Sequence, residues 1–434
     1  RWSEKVSSPS IEEDGKKGMG KLTAPAVMKL SSGFTARTAW PLAHRVLHLN
    51  HGSFGAVPNV ALEAQSGFRA DMESAPVPWF ISLPTRLAHA RRELSARIKV
   101  PSDSFVFVPN ASAGASVVYN SLTLDAGSEV LVTNHGYGAV TMGAVRMAQR
   151  QGATVRTVDI PLGSSASEVV DIVVSSFTPS TRFIVIDQVT SPTAMVWPVA
   201  EISLAAQAQG IRVLVDGAHA PGLIDDPTHG MVADYWIGNF HKWGCGPRGT
   251  AALVAKPEVA NDLFPLIDSW GAPFDYPERF DHQGTLDLTS YLAAVESWDF
   301  IEETWGWPAV RDYNRQLVSY AEEIIAEAFQ QITGDNHHSD NQLVADTLRI
   351  VKLPPGLVAS NDDGNYLRNL MAEEYATHAA FTSFNGEGYM RLSAHVYNTA
   401  AEYEEFAERV VPALCKLAED KSPSQNGRAP AGVR

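Results

Sequence analysis

Short apolar runs alternate with longer stretches of helical spacing along most of this chain. The runs at 104–108 (SFVFV), 129–133 (EVLVT), 154–160 (TVRTVDI), 183–188 (FIVIDQ) and 213–216 (VLVD) read as strands. Between them, 139–151 and 198–209 place apolar residues at helical intervals, with Gly152 and Gly210 as stops. Strand and helix in alternation imply a mainly parallel sheet. Upstream, 56–99 has helical spacing broken at 76–79 (PVPW), and 86–98 reads as an amphipathic helix whose Arg86, Arg91 and Arg92 face solvent or a subunit interface. From about Thr304 the grammar changes to a long helix at 309–329, a polar loop at 335–341 and a strand at 347–353. A helix at 366–375, a strand at 388–395 and a last helix at 400–418 follow. The chain thus divides into an N-terminal segment (31–55), a large α/β domain (56–303) and a smaller α+β domain (304–419). The charged, Ser- and Gly-rich 1–30 and the Ser/Pro/Gly/Ala-rich 420–434 read as mobile tails.

Composition narrows the function. Acidic residues outnumber basic ones, 49 to 34, for a formal charge of −15, so no broad basic surface for nucleic acid is expected. Cys245 and Cys415 are too few for a disulfide framework, and no apolar run reaches membrane-spanning length. With no signal-peptide core in 1–30, the expectation is a cytoplasmic protein without a membrane partner.

The chemistry gathers at strand ends. Lys242 sits between the apolar run 234–240 and the tight turn GCGPRG, as a held amine suited to forming a Schiff base with an aldehyde; a loop lysine in water is the alternative. Asp216 ends its strand where open α/β sheets bind ligands, although it could also cap the next helix. After the first strand, 109–116 (PNASAGAS) opens a helix with small residues, as a phosphate site does and as an ordinary capped helix also does. Tyr137 or His135 at the next strand end offers a ring to stack on a ligand or to pack. Ser191, Asp187 and Gln188 are candidates to bond a ligand hydroxyl. Arg391 lies on a predicted strand and offers bidentate carboxylate recognition. No metal site is indicated.

Five stretches in order, LNHGSFGAVP, VPNASAG, VDGAHAPG, GNFHKWGCGPRG and RLSAHVYNT, resemble the class V, fold type I pyridoxal-phosphate enzymes of the isopenicillin N epimerase-like branch. The resemblance runs from about Leu49 to about Val410 and implies the fold type I transferase fold. It implies Lys242 as the cofactor-bearing and catalytic lysine, Asp216 on the pyridine nitrogen and His219 on the ring oxygen. Ser112, Ala113 and Gly114 would donate to the phosphate, with Asn239 and His241 beside them. Tyr137 takes the place of a stacking histidine, and Ser191 adds a cofactor contact. Arg391, with Asn50 and Ser53 at the entrance, would hold the substrate. Thr285, in the loop HQGTLD, would reach the phosphate of a second subunit, which implies a homodimer.

The expected substrate is an amino acid, and the expected reaction is β-elimination that cleaves the C–S bond of a cysteine S-conjugate in secondary or antibiotic metabolism. Epimerisation, decarboxylation-coupled oxidative deamination and transamination are the alternatives within the branch. Desulfuration through a persulfide is disfavoured, because no cysteine lies between Cys245 and Arg391. A fold kept only as a cofactor sensor is disfavoured too, since lysine, aspartate and arginine are all present.

Overall fold

A computed structural model describes residues 22–421. Strand β1 (Leu47–His48) and the one-turn helix α1 (His51–Phe54) precede α2 (Asn59–Ser74) and α3 (Pro76–Arg97). The alternating part runs β2 (Phe105–Val108), α4 (Ala111–Ser121), β3 (Glu129–Thr133), α5 (Gly138–Arg150), β4 (Thr154–Val158), α6 (Ala166–Ser175), β5 (Thr181–Asp187), α7 (Val199–Gln207) and β6 (Arg212–Asp216). Next come β7 (Tyr235–Asn239), β8 (Ala251–Ala255), α8 (Pro257–Ala260), α9 (Thr289–Thr304) and α10 (Trp307–Thr333). The remainder is β9 (Leu348–Lys352), α11 (Asn361–Tyr375), β10 (Thr377–His378), β11 (Ala380–Phe384), β12 (Glu387–Ser393), α12 (Ala400–Glu405) and α13 (Val411–Lys421).

Seven strands form one sheet in the order β2-β8-β7-β6-β5-β3-β4. Strands β3 to β7 pair in parallel, while β8 runs antiparallel to β7 and β2. Alternate residues leave opposite faces, so Leu131, Ile184 and Val213 enter one apolar cluster and Val130, Phe183 and Leu214 another. A sheet covered on both faces explains why these strands read as continuous apolar runs. The antiparallel sheet β11-β12-β9 has its own cluster, built on Leu317, Phe329, Met390 and Tyr403. Strand β1 joins it, pairing in parallel with β10 and adding Leu47 and Leu49 to that cluster.

Several expectations shift. Pro76 opens α3 rather than interrupting a helix, because proline fits a first turn whose amides have no partner anyway. Arg91 is buried and ion-paired to Asp281 at 2.6 Å, not solvated, whereas Arg86 lies over the Trp79 ring. Helix α11 starts at Asn361, where Ser360 and Asp363 form a capping box. The expected tails lie mostly outside the described residues. Their inner ends are ordered parts of the fold: Met28 packs on the apolar clusters, the Lys29 carbonyl accepts from Trp305 Nε1, and α13 continues to Lys421.

Candidate active site

The parallel strands β5, β6 and β7 and the start of α4 converge on a cavity of about 310 Å3. Lys242, three residues past β7, lines it and is buried. Its Nζ stands 3.1 Å from His219 Nε2. The Trp243 indole donates to His219 Nδ1 at 3.2 Å, which leaves the ring proton on Nε2, facing Lys242. Burial, reinforced by the Arg391 charge, lowers the Lys242 amine to about 7 despite Asp216 and Asp187 nearby. Burial and the Lys242 charge also push His219 well below the usual imidazole range, so a neutral ring meets an amine poised near neutrality.

Asp216 and Asp187 are the last residues of β6 and β5 and are direct cross-strand partners, both buried and both facing the cavity. Asp216 Oδ1 accepts from the Ala218 amide at 3.0 Å, while its Oδ2 is buried without any partner. Asp187 Oδ1 accepts from the Tyr137 amide at 3.2 Å. Burial raises both carboxyls, and the Asp216 charge raises Asp187 further. A pair was not foreseen from the sequence, where Asp187 stood only as an alternative contact to a ligand hydroxyl. The signal was there in the matching strand ends FIVID and VLVD. Gln188 points away, bonded to the Pro227 carbonyl and the Trp236 indole.

The start of α4 engages two of the expected donors. Asn110 caps the helix by accepting from the Ala113 amide at 2.8 Å, and the Gly114 amide bonds the Asn110 carbonyl at 3.1 Å. Those two amides are therefore taken. Gly114 is a packing position, since a Cβ there would lie 2.7 Å from Ile237 Cγ2. Ser112 remains on the cavity wall. Asn239 accepts from the Ala111 amide at 2.9 Å and turns its NH2 group to the cavity it lines. His241 Nδ1 donates to the Thr250 carbonyl at 3.0 Å, which leaves a lone pair on Nε2.

Tyr137 lines the cavity and is half exposed, whereas His135 is fully buried between Thr193 and the Ile160 carbonyl and does not line it. Ser191 also lines it, but its hydroxyl and carbonyl accept from Arg391 Nη1 at 3.0 and 2.7 Å, which ties it to the guanidinium rather than to a ring oxygen. Arg391 Nη2 donates to Ser53 Oγ at 3.0 Å and Asn50 Oδ1 at 3.3 Å, bringing the three expected substrate residues together, with Ser53 in the wall and Arg391 behind it. Among the described residues no carboxylate neutralises this buried guanidinium, and its Nε is unpartnered. Thr285 stands exposed in its loop and is not part of the wall.

Beneath Lys242 lies a layer that sequence reasoning missed. His51 Nε2 donates to the Lys242 carbonyl at 2.9 Å, and its Nδ1 meets Tyr397 Oη at 2.9 Å. His395 stacks on both His51 and Trp243. His51, Cys245 and His395 place ligand atoms within 4.8 Å of one another, yet both His51 nitrogens are already engaged, so the group acts as a buttress. Gly55 permits a close backbone approach: at φ +71° a Cβ would stand 2.0 Å from the His241 carbonyl. Gly55→Ala should therefore cost on the order of 3 kcal/mol of stability, read as a lower urea midpoint; an unchanged midpoint would show that the loop relaxes freely.

A family model for aminotransferase class-V matches residues 82–406. Isopenicillin N epimerase of Streptomyces clavuligerus is 30% identical over 395 residues, covering 86% of this chain and 96% of the relative. Putative L-cysteine desulfhydrase 1 of Oryza sativa subsp. japonica is 26% identical over 405 residues, covering 84% and 82%. The solved cystine C–S lyase C-DES, in complex with cysteine persulfide, superposes with a TM-score of 0.72 at 20% identity, over 88% of this chain and 99% of that one. With the sheet order, the strand-end lysine and carboxylate and the family match in agreement, the chain belongs to the class V aminotransferase family and has the fold type I architecture of its pyridoxal-phosphate enzymes.

Proposed function

We propose that this protein is a pyridoxal-phosphate-dependent lyase that breaks the C–S bond of a cysteine S-conjugate by β-elimination. The observation that carries the reading is the buried Lys242 amine, held near neutrality in front of an unpartnered Asp216 oxygen, in a cavity whose wall contains no thiol. The cavity suits the cofactor chemically. Asp216 Oδ2 is a buried acceptor waiting for a donor such as a pyridinium N–H, and Ser112, Asn239 and His241 gather polar groups at the start of α4 for a phosphate. Pyridoxal phosphate bound there would supply an aldehyde for covalent capture of amines and a ring that accepts the electron pair left at the substrate Cα.

The chain's own groups divide the remaining work. Lys242 would hold the cofactor aldehyde, and its free Nζ would take the Cα proton of the substrate. His219, whose Nε2 faces Lys242, would offer its ring proton to a cofactor hydroxyl, and Tyr137 would offer a ring face. Arg391 exchanges the weak neutral acceptors Ser53 and Asn50 for the substrate carboxylate, a stronger charge-assisted partner. The Cβ–S bond then breaks with both electrons on sulfur, which takes a proton and leaves as a thiol. Water hydrolyses the remaining fragment to pyruvate and ammonia.

Both cysteines are buried, and burial raises each thiol, so neither is placed to carry a persulfide. The relatives named as cysteine desulfhydrases and as hercynylcysteine sulfoxide lyase support cleavage at sulfur. Dimerisation has its own support. The segment leading to Thr285 exposes Phe264, Leu266, Ile267 and Trp270, the last at 85%, an apolar patch that a second copy would cover while Thr285 reached its site.

Turnover of a cysteine conjugate should release thiol, pyruvate and ammonia in equal amounts. Solvent hydrogen exchange at Cα with the side chain retained would assign epimerisation instead, and carbon dioxide release a decarboxylative route. Arg391→Ala should lower kcat/KM roughly a hundredfold, with cofactor absorbance unchanged. An unaltered kcat/KM would remove Arg391 from substrate binding.

A further inference from the structure

A second, larger cavity of about 430 Å3 lies on the other side of α1. Phe54 lines both cavities, and Asn50, which accepts from Arg391, lines this one, so the two adjoin at the exposed Phe54 ring. The chain as a whole is acidic, yet among the described residues no carboxylate lines this cavity. Arg368, on α11, lines it with no ion pair or hydrogen bond among the described residues. Arg248 reaches it from the turn after Lys242 and gives its Nη groups to the Phe54 and Gly55 carbonyls, which leaves its charge unneutralised. His48 and His378, cross-strand partners of β1 and β10, meet edge to face at 4.9 Å, and His48 Nε2 is buried without a partner. The rest of the wall is largely apolar, with Leu42, Ala56 and Ala372.

Two uncompensated guanidinium groups and an unpartnered imidazole above an apolar wall suit a chain of methylenes that ends in an anion. We propose that this cavity is the subsite for a distal carboxylate or other anionic group of the substrate, anchored by Arg368 within the field of Arg248. The assignment rests on the amino-acid-handling reading of the neighbouring cavity and names its substrate class: amino acids whose side chain carries a terminal negative charge. Small neutral amino acids leave the subsite empty.

The test uses the full chain loaded with pyridoxal phosphate. Binding of 2-aminoadipate and 2-aminopimelate is compared with that of norleucine and 2-aminoheptanoate, by calorimetry and by the change in cofactor absorbance. The diacids should bind about tenfold or more tightly than their neutral counterparts, and Arg368→Gln should bring the pairs close to parity. Arg368 is exposed and has no partner to lose, so the variant keeps its fold, which circular dichroism checks. Equal affinities in the wild type, or a preference that survives Arg368→Gln, would overturn the subsite. Failure of the chain to take up cofactor would defeat the reading of the first cavity instead, and calorimetry would still report whether the diacids are preferred.

Discussion

Lys242→Ala should abolish turnover, lowering kcat by roughly four orders of magnitude or more, because one side chain is both the covalent anchor and the proton acceptor at Cα. Borohydride treatment of the loaded wild type should fix the pyridoxyl group to the peptide containing Lys242, and the variant should take none. A label on another lysine would refute the assignment. The reaction of the cofactor-free protein with pyridoxal adds an independent reading. Only the neutral amine is nucleophilic, and burial holds Lys242 at about 7, so capture should accelerate as pH rises through 7 and then level off. A rate that kept climbing toward the range of an ordinary lysine, near pH 10, would mean that the amine is solvated.

Asp216→Asn should be the next most damaging change. It removes the charge at the cavity's one orphaned carboxylate oxygen, and with it the partner that keeps a bound ring protonated and electron-accepting. A loss in kcat of about a hundred- to a thousandfold is expected, in line with removal of a preorganised electrostatic group, while cofactor still loads. Asp187 provides the contrast. Burial and the neighbouring charge raise its carboxyl, and its Oδ1 already accepts from the Tyr137 amide, so Asp187→Asn should change kcat by less than about tenfold. Comparable losses in the two variants would show that the charge is shared across the pair.

Much of the architecture was legible because one rule acts locally: strands covered on both faces must be apolar throughout, and helices between them must be apolar at helical intervals. The runs ending in Asp187 and Asp216, and the turn carrying Lys242, could be located for that reason, and motif order added the family. Some strands were missed: β8 is a short apolar run, AALVA, directly behind a Gly/Pro turn, and the two-residue β1 and β10 have no periodicity at all.

What the sequence determined by itself was which strand ends carry chemistry. Tertiary structure alone decided which groups face one another. Asp187 and Asp216 become a coupled pair only because β5 and β6 are neighbours in register. The Gly114 amide is withdrawn by the helix ladder and the Ala113 amide by the Asn110 cap, and Ser191 is drawn to a guanidinium two hundred residues away in the chain. Arg368, on a helix remote in sequence, meets Arg248 and His48 across one cavity. Hydrophobic periodicity reports how each segment meets solvent, one segment at a time, whereas hydrogen bonds and charge coupling depend on distances between segments that only packing sets.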